Sequence, residues 1–205
     1  MILGAGGLGK TASDIFKANN IMVYGFLDED TTLHQTEIQD ITVLGSVEDD
    51  AFFRIIGDDC EACIAEEDME KRAELAKLLR KKRKKMPMNV VHPKAILEPS
   101  VLLKHGNFIG AGVYVGSAVE IENNCLIYPN ATLNHQVQIA DFVHIGAGSI
   151  INSGVKIGQK AFIGSGVTIT SGVKIGENAR IVAGSVVLQD VPEGATVFGV
   201  PAQNV

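Results

Sequence analysis

The sequence predicts a two-part chain, an α/β front followed by an all-β parallel helix. Three observations carry this. A six-residue aliphatic repeat runs through the second half, a glycine-rich turn opens the first, and Met86-Pro87 separates two stretches of unlike pattern. The expected domains are residues 1–86 and 87–205.

The repeat decides the larger part. From Val91, every sixth residue is Leu, Ile or Val: Leu97, Leu103, Ile109, Val115, and so on without a slip to Val187. The residue four beyond each is usually small, as at Val113, Cys125, Ala131, Ser149 and Ala179. A period of six fits neither a helix nor simple alternation. It predicts one short strand and one turn per hexad, with three hexads closing a triangular coil. The aliphatic residue points inward and the small one leaves room at the corner. Each coil then buries its interior only against its neighbours. Glycines directly after the aliphatic position (Gly110, Gly116, Gly146, Gly158, Gly164, Gly176) are expected to serve turns of unusual φ/ψ.

In the front, "ILGAGGLGK" spaces Gly4, Gly6 and Gly9 as G-x-G-x-x-G. A helix-like stretch follows from Thr11 to Ala18, then the strand-like "IMVYGFLDED". Asp28 falls about 20 residues after the glycines, where a Rossmann unit places a ribose-binding acid. Glycines would let a phosphate approach, and the helix N-terminus would offer N–H groups and a favourable dipole. So short a front holds half a dinucleotide fold, which suits one nucleotide; alternatively, the glycines serve packing alone. "EEDMEKRAELAKLLRKKRKK" reads as a helix with acids early and bases late, matching the helix dipole. Its basic end, Arg80 to Lys85, reads as a solvated helix terminus.

The net charge of -6 argues against general nucleic-acid binding. No apolar run approaches the length of a membrane span. The N-terminus lacks the pattern of a secretory signal, so the expected location is the cytoplasm. Cys60-x-x-Cys63 has no second pair or nearby histidine to complete a zinc site, so no metal is expected.

The repeat, with the tail "VPEGATVFGVPAQNV", resembles the left-handed β-helix of the hexapeptide-repeat transferases. With a small GxGGxG Rossmann-like domain in front, the whole chain resembles sugar acyltransferases of the sialic-acid O-acetyltransferase type. It is closest in plan to the N-acetyltransferases that act on a UDP-4-amino-4,6-dideoxy sugar on the way to di-N-acetylbacillosamine. The resemblance implies a homotrimer, active sites between neighbouring β-helices, and acetyl-CoA along the groove. It puts the UDP-sugar in the front domain, at Gly6, Gly7, Leu8, Gly9, Lys10, Asp28 and Glu29.

In the repeat the resemblance assigns His135 as general base and His144, nine residues on, to the acetyl-CoA side. It points to the Ser153-Gly154 turn for an oxyanion donor and to Ser165 and Ala183 for further CoA contacts. An amine attacking a thioester must lose a proton, which a histidine can accept near neutral pH. Gln136 departs from the family's Glu or Asp; it can orient the imidazole but not stabilise its charge. Asp141 is an acid nearby in sequence. O-acetylation of a sugar such as sialic acid and an inactive scaffold are the alternatives. A γ-type carbonic anhydrase is disfavoured, because its H-x4-H spacing is missing.

Overall fold

The computed structural model describes residues 1–57 and 60–205. Contacts divide the chain into two compact units, Met1–Pro93 and Lys94–Val205. Residues 87–93 go with the first unit through two bonds. The Met88 N–H donates to the Ala62 carbonyl at 2.8 Å, and the Asn19 Nδ2 donates to the Val91 carbonyl at 3.0 Å.

The first unit runs β1 (Ile2–Leu3), α1 (Gly7–Ala18), β2 (Phe26–Leu27), β3 (Glu37–Ile38), β4 (Ile41–Gly45), α2 (Asp50–Phe53), β5 (Cys63–Ile64) and α3 (Met69–Arg83). The sheet order is β3-β4-β2-β1-β5, parallel except for the β3–β4 hairpin. Leu3, Leu27, Val47, Phe53, Ile64 and Leu79 form its core. The strand expected over 21–30 shrinks to β2. Pairing starts at Gly25, whose carbonyl accepts from the Ile2 N–H at 3.0 Å, and Met22 before it is 91% exposed. The third helix lies within the stretch expected over 66–85 but starts later, capped by Asp68, whose carboxylate accepts from the Glu70 and Lys71 N–H groups. Cys63 lies buried in β5, and burial pushes its thiol up to about 12. Cys125 is buried as well, whereas Cys60 is half-buried.

The second unit is the parallel helix that the period of six predicts. Its strands, two residues long up to Val187, make three faces. The first runs from Ile96–Leu97 through Thr132–Leu133 to Val186–Val187; the second from Leu102–Leu103 through Gln138–Ile139 to Lys174–Ile175. The third runs from Phe108–Ile109 through His144–Ile145 and Arg180–Ile181 to Thr196–Gly199. Pairing is parallel and in register, His144 against Phe162 and Ile145 against Ile163, so one coil is 18 residues. The aliphatic positions from Ile109 to Val187 are buried, and so are the small corner residues. The chain ends by folding Ala202–Asn204 back antiparallel on Thr196–Gly199.

One expectation about the glycines is corrected. Gly110, Gly116, Gly146, Gly158, Gly164 and Gly176 have no positive φ. A Cβ on Gly146 would lie 2.4 Å from the Ser165 nitrogen, and one on Gly164 would lie 2.5 Å from that of Ala183. These glycines are required by the close approach of the next coil, not by turn geometry. The left-handed residue comes two positions later. There Gln136, Phe142 and Lys160 share the position at positive φ with Gly148, Gly154 and Gly166.

Candidate active site

His135 stands on the corner between the first and second faces. The buried Leu133 anchors the strand before it, and the buried Val137 restarts the wall after it. Between them, His135 and Gln136 are exposed. Neighbouring coils pin this turn from both sides. The His135 carbonyl accepts from the Gly154 N–H at 3.1 Å, and the Gln136 N–H donates to the Ser117 carbonyl at 3.0 Å. Asn134 donates from Nδ2 to the Asn152 Oδ1 at 3.2 Å, and Asn152 donates in turn to the Ile169 carbonyl at 2.7 Å. The backbone under the imidazole is therefore held while its ring meets solvent.

Among the described residues, the ring's partner is the Gln136 Oε1, 3.4 Å from Nδ1. Because an amide oxygen only accepts, this contact favours the proton on Nδ1 and leaves the Nε2 lone pair for a substrate. Asp141 does not assist within the chain. It sits at the next corner, and its Oδ1 accepts from the Asn123 N–H at 2.8 Å and from the Asn123 Nδ2 at 2.9 Å.

The expected partners divide between corners. Ser153 and Gly154 lie one coil beyond His135 on the same corner. The Gly154 N–H is spent on the His135 carbonyl; among the described residues, the Ser153 N–H has no partner. His144, by contrast, does not meet His135. Nine residues are half of an 18-residue coil, so His144 stands on the third face. Ser165 and Ala183 stack on the corner between the third and first faces, tied by the Gly184 N–H to the Ser165 carbonyl at 2.9 Å. The separation follows from the coil length that three hexads set.

His144 is half-buried between two rings. Tyr128 stacks on one side at 4.8 Å and 30°, Phe162 on the other at 4.4 Å and 26°.

In the first unit, Gly6 caps α1 without a side-chain bond and Gly7 begins it. A Cβ at either would meet nothing within 4 Å, so both are open to a ligand. Gly9 is not: its Cβ would lie 2.2 Å from the Gly4 carbonyl oxygen. Leu8 is buried beside it, so Leu8 and Gly9 serve helix–strand packing, whereas Lys10 is exposed. Asp28 holds the turn together, accepting from the Ala5 N–H at 2.6 Å and the Asp30 N–H at 2.9 Å. His34 reaches the Asp28 carbonyl with Nε2 at 2.8 Å, a contact that sequence spacing did not reveal.

Beyond the strand ends opens a cleft of about 740 Å³, lined by Gly4, Asp28, Glu29, Val47, Glu66 and Lys71 among others. Open α/β sheets bind ligands at the carboxyl ends of their strands. Acids outnumber the two lysines, Lys71 and Lys82. At its rim, hydrogen bonds from the Thr32 hydroxyl and N–H lower the Asp30 pKa from its ordinary value.

Family comparisons agree with this architecture. Residues 1–79 match the PglD N-terminal domain. Residues 118–153 and 154–189 match the bacterial transferase hexapeptide (six repeats), and 136–171 match the hexapeptide repeat of succinyl-transferase. Among solved structures, a histidine-to-alanine mutant of GDP-perosamine N-acetyltransferase from Caulobacter crescentus, in complex with CoA and GDP-perosamine, is 28% identical. It superposes with a TM-score of 0.91 over 100% of this chain and 95% of its own. The acetyltransferase domain of PglB from Neisseria gonorrhoeae FA1090, in complex with acetyl coenzyme A, is 25% identical with a TM-score of 0.90, covering 100% and 97%. The chain belongs to the hexapeptide-repeat acetyltransferases.

WeeI from Acinetobacter baumannii AYE, 24% identical with a TM-score of 0.88 over 100% and 98% of the chains, shares the fold. No curated protein sequence matches. The repeat unit of this acetyltransferase is the left-handed parallel β-helix of its class, and its front is Rossmann-like. Among the described residues no helix is long and apolar enough to cross a membrane.

Proposed function

We propose that the protein transfers acetyl from acetyl-CoA to the 4-amino group of a nucleotide-linked 4-amino-4,6-dideoxy sugar, with His135 as general base. The observation that carries this is the pinned corner. An exposed imidazole, its Nδ1 turned to an amide oxygen, stands on a rigid turn beneath the Ser153 amide. The amine attacks the thioester carbonyl and forms the C–N bond while its proton passes to Nε2. The Ser153 N–H stabilises the oxyanion, the C–S bond breaks, and the thiolate takes the proton. A positioned base of this kind contributes roughly 100- to 10,000-fold, and one oxyanion donor about 100-fold or more.

Because His135 and the expected CoA residues His144, Ser165 and Ala183 occupy different edges of one chain, the site takes a second copy of the chain, which the homotrimer implied by the resemblance would supply. One copy's base then faces a neighbour's CoA groove. The reading places the enzyme in the cytoplasm, where acetyl-CoA is made. In the first unit, Gly6, Gly7 and the α1 N-terminus take the diphosphate, assisted by Lys10. Asp28 and Glu29 take ribose hydroxyls and base N–H groups. The nucleotide is UDP in this reading. GDP is the second possibility, favoured by the relative crystallised with GDP-perosamine.

The test is CoA release from acetyl-CoA, followed with a thiol reagent, against UDP- and GDP-linked 4-amino-4,6-dideoxy sugars. Sialic acid serves as hydroxyl acceptor. An acceptor-free blank corrects for Cys60, the half-buried thiol. Turnover with an amino sugar supports the proposal, and release only with sialic acid moves the enzyme to O-acetylation. No release, with no CoA binding, would make the β-helix a scaffold.

A further inference from the structure

Parallel strands lie about 4.8 Å apart, which is also a stacking distance for flat rings. A column of outward residues spaced one coil apart can therefore stack if its members are planar. The third face does this. His144 pairs with Phe162, and Phe162 with Arg180. The ring centroids of His144 and Phe162 lie 4.4 Å apart, and the Arg180 Cζ lies over the Phe162 ring, 4.6 Å from its centroid. Below His144 the register would supply Leu126. Instead Tyr128, two residues on at the corner, brings its ring to 4.8 Å. Its column neighbours Gly110, Gly146 and Gly164 are glycines. Phe108 backs Tyr128 at 5.9 Å.

We infer that Tyr128 and Phe162 are positioning residues that clamp the His144 imidazole, with Arg180 closing the column. Both faces of the imidazole are covered, so the ring cannot turn about its own axis without unstacking. Only its edge, with the two nitrogens, can meet a ligand, and only in the plane of the stack. A hydrogen bond from His144 to CoA then has a fixed direction. This rests on the reading of His144 as a group on the acetyl-CoA side.

The experiment combines histidine NMR with calorimetry on the full-length protein. In the wild type, ring currents should move the His144 ring protons upfield of those of the exposed His135, the resonances being assigned with His144→Asn. Phe162→Leu and Tyr128→Leu should each move them back downfield. Both should weaken CoA binding about tenfold, as misdirected contacts do, while the melting temperature holds within a few degrees. Phe162→Tyr keeps a ring and should restore the wild-type Kd for CoA. His144 protons at ordinary shifts in the wild type would overturn the clamp. So would wild-type CoA affinity in a Leu variant whose stack is lost. Wild-type protein that binds no CoA would overturn the acetyltransferase reading and leave the clamp nothing to position, a result distinct from equal binding by wild type and variant.

Discussion

The β-helix and the front unit solve the same problem, holding polar groups at a surface, by opposite means. In the β-helix every coil repeats the last, so a corner such as Asn134-His135-Gln136 inherits its backbone from the coils on either side. The side chain is free to vary because the wall behind it does not. In the front unit no repeat exists. Asp28 must itself tie the Ala5 and Asp30 amides, and the Gly4–Gly9 turn closes only because a glycine lies against the Gly4 carbonyl. At that corner the His135 side chain is a bystander to folding, whereas Asp28 and Gly9 are part of it.

That contrast can be broken most forcefully at His135. His135→Ala should lower kcat by about 100-fold or more while leaving thermal unfolding unchanged, since the ring is exposed and its bond to Gln136 is a long one. A kcat near wild type would remove the general base. A large fall in melting temperature would show that corner residues do carry folding in the repeat.

In the front unit the opposite holds, glycine by glycine. Gly9→Ala drives a Cβ into the Gly4 carbonyl and should cost about 2–3 kcal/mol. Gly6→Ala meets no atom and should cost less than about 1 kcal/mol, yet should weaken nucleotide-sugar binding by crowding the helix N-terminus. Urea unfolding followed by helical circular dichroism reports this unit, because the helices of eight or more residues, α1 and α3, both belong to it. Equal stabilities for the two variants would erase the distinction between packing glycines and open ones.

The same contrast governs what could be read in the sequence. The period of six identified the inward positions from Ile109 to Val187, because burial against identical neighbours leaves one solution. His135 was legible as an exception to that pattern. Its separation from His144 was implicit in the repeat, since three hexads close a coil and a nine-residue step crosses to the far side. The ring column was not legible, although Phe162 lies one coil beyond His144 in the sequence; Tyr128 joins it from another position. In the front the G-x-G-x-x-G spacing was visible but two-valued. Only the contacts separate Gly9, which packs, from Gly6 and Gly7, which are open. The acidic cleft was invisible, because Asp28, Glu48 and Glu66 come from the ends of separate strands.

The smallest effect should come from Gln136, and it tests how far the stiff corner serves chemistry. Its residue sits at φ 60, held by the bond from its N–H to the Ser117 carbonyl, so exchanging the side chain leaves the turn in place. A carboxylate there would attract the imidazolium that forms when His135 takes the amine proton, where the amide only orients the ring. Gln136→Glu should therefore raise kcat by about threefold on the plateau, an exposed pair being screened by water. The acid limb of the rate profile should also move to higher pH, because a ring that holds its proton more tightly must be freed of it before it can act as base. The check is kcat against pH for both proteins with the same amino sugar. An unchanged profile would mean that the side chain at 136 does not face the imidazole during turnover, and that charge from another chain completes the site.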